Sequence, residues 1–144
     1  MHALGRLLGS LLGAGDVVGL EGPLGAGKTT LTQGIAQGLA VPRERHVASP
    51  TFSLVNQHPG RVPLAHADFY RLRSPAELAE LGLDELFERG ATVIEWVDLF
   101  PDAVPSDHLH IRIAPESSGS SQARLLTVRS HGPRSQAILH ALAD

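Results

Sequence analysis

The segment Gly22-Pro23-Leu24-Gly25-Ala26-Gly27-Lys28-Thr29 constrains this chain more than any other, because it satisfies G-x4-G-K-[ST] between a short apolar run and a stretch of helical spacing. Upstream, Asp16-Val17-Val18-Gly19-Leu20 is bounded by turn signals, the pattern of a buried strand. Downstream, Leu31, Ile35 and Leu39 recur at helical spacing from Lys28 to about Ala40, and Pro42 stops the pattern. Strand, glycine loop and helix together form a cradle for phosphate. Gly25 and Gly27 permit backbone conformations and close approach that a Cβ would block, so successive N–H groups can converge on phosphate oxygens. The start of the helix adds the positive end of its dipole. Lys28 can reach the β and γ phosphates as a compact charge, the Thr29 hydroxyl can ligate a bridging Mg²⁺, and Thr30 offers a second hydroxyl nearby.

Composition narrows the ligand. Of the 12 cationic side chains only Lys28 is a lysine, so the N-K-x-D motif with which regulatory GTPases commonly select guanine is impossible and ATP is the expected nucleotide. Against those cations stand 15 Asp plus Glu, a net charge of -3, which offers no broad cationic surface for autonomous nucleic-acid binding. The absence of Cys excludes disulfides, thiolate zinc sites, iron–sulfur clusters and cysteine nucleophiles. With 144 residues, 42% of them hydrophobic, one soluble domain over 1–144 is expected, with no internal repeat. No apolar run approaches the roughly 18 residues that span a bilayer, and the start Met1-His2-Ala3-Leu4-Gly5-Arg6 lacks a secretion-signal pattern, so a cytoplasmic protein without a membrane partner is expected.

The remaining elements follow from periodicity. Leu4, Leu7, Leu8, Leu11 and Leu12 lie on one helix face over residues 3–13. Thr51 to Val55 and Val62 to Ala67 read as strands flanking a turn at His58-Pro59-Gly60, and Ser74-Pro75-Ala76-Glu77 opens a helix with a capping box, with a break at Gly82. Residues 91–97 read as a buried strand, 108–113 and 124–128 as two more around a Ser/Gly loop, and 135–142 as a closing helix. These add up to an α/β fold, a P-loop NTPase-like three-layer sandwich with a mostly parallel central sheet and an antiparallel edge.

A P-loop site needs an acidic residue for the Mg²⁺ shell, usually at the end of an apolar strand. Asp68 closes the run from Val62 to Ala67, and Glu95 interrupts Val93-Ile94-Glu95-Trp96-Val97, where a carboxylate is costly unless it is paired or holds a metal. Pairing with an Arg at the sheet edge is the bland alternative. Ser49-Pro50-Thr51 can carry a hydroxyl to Mg²⁺ or to the γ phosphate, or can simply turn the chain into a strand. His66 and Asp68 share a strand face without further evident metal ligands, and His108 and His110 read as a solvent-facing pair. Trp96 is expected in the core or beside the site.

Taken together, Gly22 to Thr30, Ser49-Pro50-Thr51-Phe52-Ser53-Leu54-Val55, His66-Ala67-Asp68-Phe69-Tyr70-Arg71-Leu72 and Ile94-Glu95-Trp96 resemble the TsaE family, the small bacterial ATPases of tRNA threonylcarbamoyladenosine biosynthesis. The likeness runs from about Leu4 to Val97. Pro23 stands where the family usually has an acidic residue, and Met1 precedes Leu4-Gly5 where the family has T-x-x-L-G. The resemblance implies a P-loop fold binding ATP and Mg²⁺, with Leu24, Gly25, Ala26, Gly27, Lys28, Thr29 and Thr30 around the nucleotide and Thr29, Asp68 and Glu95 at the metal. Lys28, Thr51, Asp68 and Glu95 would carry the hydrolysis, and Trp96 would lie beside them. It further implies a weak Mg²⁺-dependent ATPase whose partners are a threonylcarbamoyl-transferase protein pair, with tRNA engaged only through that complex and no DNA. A small-molecule P-loop kinase and a nucleotide-ordered scaffold remain alternatives; the first would need an Arg-rich lid, for which 144 residues leave little room.

Overall fold

Glycine, proline and hydroxyl residues set the element boundaries in the computed structural model, which describes residues 1–50, 54–115 and 123–144. The chain runs α1 (His2–Leu11), β1 (Val17–Glu21), α2 (Lys28–Gly38), β2 (Val55–His58), β3 (Leu64–Asp68), α3 (Pro75–Ala79), α4 (Leu83–Arg89), β4 (Ala91–Glu95), β5 (Leu109–Pro115), β6 (Arg124–Ser130) and α5 (Pro133–Ala143). Ser74 caps α3 by accepting from the Glu77 N–H at 3.3 Å, and Pro75 begins the helix. The Glu77 carboxylate reaches one residue past the cap and accepts from the Arg73 N–H at 3.1 Å, so the expected box closes on Arg73. Gly82, at φ 65°, separates α3 from α4.

The strands form one sheet in the order β2-β3-β4-β1-β5-β6. β3, β4, β1 and β5 are parallel, whereas β2 pairs antiparallel with β3 and β6 antiparallel with β5. Both edges are therefore antiparallel, where the sequence pointed to one. Interior parallel strands are buried on both faces, and alternate residues feed two cores. Val18, Leu20, Val93 and Ile111 pack under α1, α2 and α5, while Val17, Ala67 and Ile94 meet Leu86 and Phe87 of α4 on the other side. The result is a three-layer sandwich with β4 and β1 at its centre, so the loop that follows β1 is held by a buried interior strand.

Two expectations need correction. Residues 91–97 do not form one strand. The strand ends at Glu95, Trp96 takes a left-handed φ of 59°, and Val97 opens a 3₁₀ turn over Val97–Leu99. Val97 is still buried, against β1 at Gly19, where a Cβ would lie 2.9 Å from its methyl groups. His108 and His110 are half-buried instead of facing solvent, because His131 packs on them: the His108 and His131 rings stack at 4.3 Å, and His110 Nε2 lies 3.0 Å from Glu21 Oε1.

The helix α1 contacts its neighbour through glycine as well as leucine. Leu8 and Leu12 enter the core, but Leu7 stays 46% exposed. Gly5 and Gly9 of α1 instead lie against Gly34 and Gly38 of α2, side by side and in the same direction. A Cβ at Gly5 would stand 2.7 Å from the Leu31 carbonyl and 2.8 Å from the Gly34 Cα, so neither helix could approach so closely with any other residue there. Arg61 closes the C-terminus of α1 by donating to the carbonyls of Gly9 (3.0 Å) and Leu12 (2.8 Å). Buried Asp16, at the entrance to β1, takes a forked contact from Arg134 of α5 at 3.0 and 2.9 Å.

Helix interiors ordinarily favour alanine over glycine by about 1 kcal/mol. Here that sign should reverse: Gly5→Ala is expected to destabilise the protein by about 1–3 kcal/mol through overpacking, and a urea titration in which it raises the midpoint would refute the close contact. A second expectation concerns Asp107, whose carboxylate accepts from the Arg134 and Ser135 N–H groups at 2.8 and 3.0 Å. The Ser135 hydroxyl, ahead of these backbone donors, holds its pKa below the usual value of about 3.9. Asp107→Ala should lower the melting temperature by a few degrees near neutral pH. Because the folded pKa is depressed, that deficit should shrink as pH falls through it; a constant deficit down to pH ~2 would refute the linkage.

Candidate nucleotide site

The six residues between β1 and α2 turn the chain over the C-terminal ends of the parallel strands, where open α/β sheets place their ligand crevices. Gly25 (φ 77°) and Gly27 (φ 111°) adopt left-handed backbone, and Gly27 is the N-cap of α2. The loop borders a cleft of about 340 Å³ lined by Leu24, Gly25, Gly27, Lys28, Thr29, Thr30, Ser49, Asp68, Glu95 and Trp96. Most of the expected site residues thus converge. Ala26 turns its methyl into the core at 3% exposure and can offer only backbone, whereas Leu24 stands 72% exposed at the rim. Thr51 lies outside the described residues.

Lys28 is 5% exposed. Its ammonium donates to the Gly22 and Pro23 carbonyls, the latter at 2.9 Å, and sits 4.1 Å from the centre of the Trp96 ring. Burial pushes its pKa down, while Glu95, Asp68 and Asp98 pull it up. The left-handed turn at Trp96 explains the ring's place: leaving the strand there swings the indole to Lys28 and onto Tyr70, at 4.8 Å.

Across the cleft, Asp68 and Glu95 end adjacent parallel strands in register. Burial pushes the Asp68 carboxyl up; the Tyr70 N–H, donating to Oδ1 at 2.9 Å, opposes this, and neighbouring Glu95 adds to it. Glu95 is 2% exposed, and its ion-pair partner among the described residues is His66 where an Arg was the alternative. Its carboxylate gathers the Ser49 hydroxyl (3.0 Å), the Thr29 hydroxyl (3.3 Å) and His66 Nε2 (2.6 Å), and the two hydroxyls are 2.7 Å apart. Two carboxylates and two hydroxyls, all hard oxygen donors facing one cleft, suit Mg²⁺ better than a transition metal. Among the described residues no cluster of three or more His, Cys, Asp and Glu could hold a metal ion alone, and His66 turns to Glu95 rather than joining Asp68.

Of the Ser49-Pro50-Thr51 segment, Ser49 is the described hydroxyl, and it reaches Glu95; the role expected of Thr51 falls outside the described residues. Sequence reasoning noticed His66 only beside Asp68. The pairing with Glu95 depends on β3 lying next to β4 with His66 opposite Val93, which puts Glu95 on the diagonal. Only the strand register carries that information.

The comparisons with known proteins bear on this geometry. The family model described as "Threonylcarbamoyl adenosine biosynthesis protein TsaE" matches residues 1–124. Curated proteins named "tRNA threonylcarbamoyladenosine biosynthesis protein TsaE" are similar: one from Nostoc sp. is 43% identical over 128 residues, 85% of this chain and 76% of its own. One from Streptomyces coelicolor is 40% identical over 139 residues, 93% of each chain. The crystal structure of Bacillus subtilis YdiB superposes with a TM-score of 0.82 at 33% identity, covering 99% of this chain and 86% of that one. With the glycine loop, the paired acidic strand ends and these similarities in agreement, the chain belongs to the TsaE family of tRNA threonylcarbamoyladenosine biosynthesis proteins.

Proposed function

We propose that this protein binds and hydrolyses ATP, weakly and with Mg²⁺, as the component that supports repeated turnovers of a threonylcarbamoyl-transferase protein pair acting on the adenosine beside the anticodon of tRNA. The observation that carries the reading is the convergence of Lys28, Thr29, Ser49, Asp68 and Glu95 on one cleft at the phosphate loop. Acting as one domain over 1–144, the chain would meet tRNA only through the complex, in line with its net charge of -3. Among the described residues no helix is long and apolar enough to cross a membrane; the reading calls for a cytoplasmic setting and for no DNA.

In this reading the loop amides from Leu24 to Gly27 and the first amides of α2 hold the phosphates, with Thr30 beside them. Lys28 leaves the Gly22 and Pro23 carbonyls for the β and γ phosphates, where its charge counts most as the leaving oxygens become negative. Thr29, Asp68 and Glu95 would hold Mg²⁺, which when bound would supply neutralisation of phosphate charge. Thr51, in the segment after Ser49, is assigned to sense the γ phosphate. Chemistry on the tRNA belongs to the partners.

The reading is tested by multiple-turnover threonylcarbamoylation with the matched partner enzymes, ATP and bicarbonate. The intact protein should stimulate the reaction, and Lys28→Ala should lose the stimulation together with roughly 10²-fold or more of the ATP turnover, the scale of losing one preorganised electrostatic contact. Stimulation that survives Lys28→Ala would overturn it. In parallel, Asp68→Ala and Glu95→Ala should each raise the Mg²⁺ requirement by about 10-fold or more; overlapping Mg²⁺ titrations would remove them from the metal site.

A further inference from the structure

The two oxygens of the Glu95 carboxylate are not equivalent. Oε2 accepts from the Ser49 hydroxyl at 3.0 Å and lies 2.6 Å from His66 Nε2, whereas among the described residues Oε1 meets only Thr29 Oγ1, which spans both oxygens at 3.3 Å from Oε1 and 3.4 Å from Oε2. His66 is fully buried on β3, and its other ring nitrogen, Nδ1, has no hydrogen-bond partner among the described residues. A neutral imidazole has one donor and one acceptor. The tautomer with its proton on Nε2 directs the only donor of this side chain at Glu95 and leaves the buried Nδ1 as a bare acceptor.

Glu95 also faces an attraction from across the cleft. The charge of Lys28 feels Glu95, yet the two form no ion pair. A carboxylate at the end of a strand, on a flexible side chain, could swing onto that ammonium, and both groups would then be lost to a ligand. The short contact from the adjacent strand prevents this by fixing Oε2 from behind.

Resting on the Mg²⁺–ATP reading of this site, we propose that His66 is a positioning residue: its Nε2–H anchors Oε2 of Glu95 and so presents Oε1, beside Thr29, to the Mg²⁺ shell. His66 touches neither metal nor nucleotide. Its role is exercised through Glu95, as outer-shell partners orient the groups that hold a metal.

Two substitutions of similar size separate this role from filling space. In His66→Gln the amide N–H falls close to the place of Nε2; in His66→Asn it stops near Nδ1, short of Glu95. Binding of a fluorescent ATP analogue, followed in a Mg²⁺ titration and again in EDTA, reads the role without any turnover. His66→Gln should keep the parent's Mg²⁺ half-saturation, and His66→Asn should raise it by about 10-fold or more, with affinity in EDTA unchanged for both. Asn titrating like the parent, Gln failing as Asn does, or an equal loss in EDTA would each overturn the proposal. Should the parent show no Mg²⁺-dependent binding, the Mg²⁺–ATP reading itself falls and takes this inference with it. If His66→Asn does not melt cooperatively, long-range ¹H–¹⁵N spectra of the parent's histidines decide: the proton of His66 on Nε2 supports the anchor, and a neutral ring carrying it on Nδ1 overturns it.

Discussion

A carboxylate sits 2% exposed at the end of a central strand, and the site is arranged around satisfying it. Removing a carboxylate from water is costly unless hydrogen bonds or a cation replace the lost solvent. Glu95 obtains those bonds from three separate parts of the chain: Thr29 from the first turn of α2, Ser49 from the segment before β2, and His66 from β3. Each partner is thereby placed relative to the others. The same demand that stabilises the buried charge assembles the hydroxyls and acidic strand ends that face the phosphate loop.

The loop is also held from behind. α2 can present Lys28 and Thr29 at a fixed height only if its far side has a firm support, and α1 provides one by lying against it through Gly5, Gly9, Gly34 and Gly38. Each of these glycines weakens its own helix by about 1 kcal/mol relative to alanine. The close approach offsets that by bringing two backbones into direct contact. Arg61 and the Asp16–Arg134 fork then fix the end of α1 and the start of β1, so strand, loop and helix share one frame.

Local patterns were legible where local physics decides them. The phosphate loop, the Ser74 cap, the break at Gly82 and the parallel core strands follow from turn chemistry and periodicity, and the structure has them. Lys28, Asp68 and Glu95 were readable too, because a lone lysine after a glycine loop and acids at the ends of apolar runs are conspicuous. Other features depend on partners far along the chain. The leucine stripe of α1 marked Leu7 as core, but which face meets α2 is decided by glycines in both helices. Val97 continued an apolar run, yet its burial comes from the space over Gly19, and the chain turns at Trp96 to reach it. The pairing of His66 with Glu95 needs the register of β3 on β4, which no single segment encodes.

The central place of β1 has a consequence for the order of folding. The strand that carries the phosphate loop is made early, yet its two neighbours come late: Val18 pairs with Val93 on one side and with Leu109 on the other. Closing such long loops must precede the contacts that reward it, which makes parallel pairings slow. During synthesis the loop and α2 would emerge well before β4 and β5, with α1 as their early support. β1 therefore gains both its neighbours only when the second half of the chain docks, so most of this protein must be synthesised before the phosphate loop is flanked on both sides.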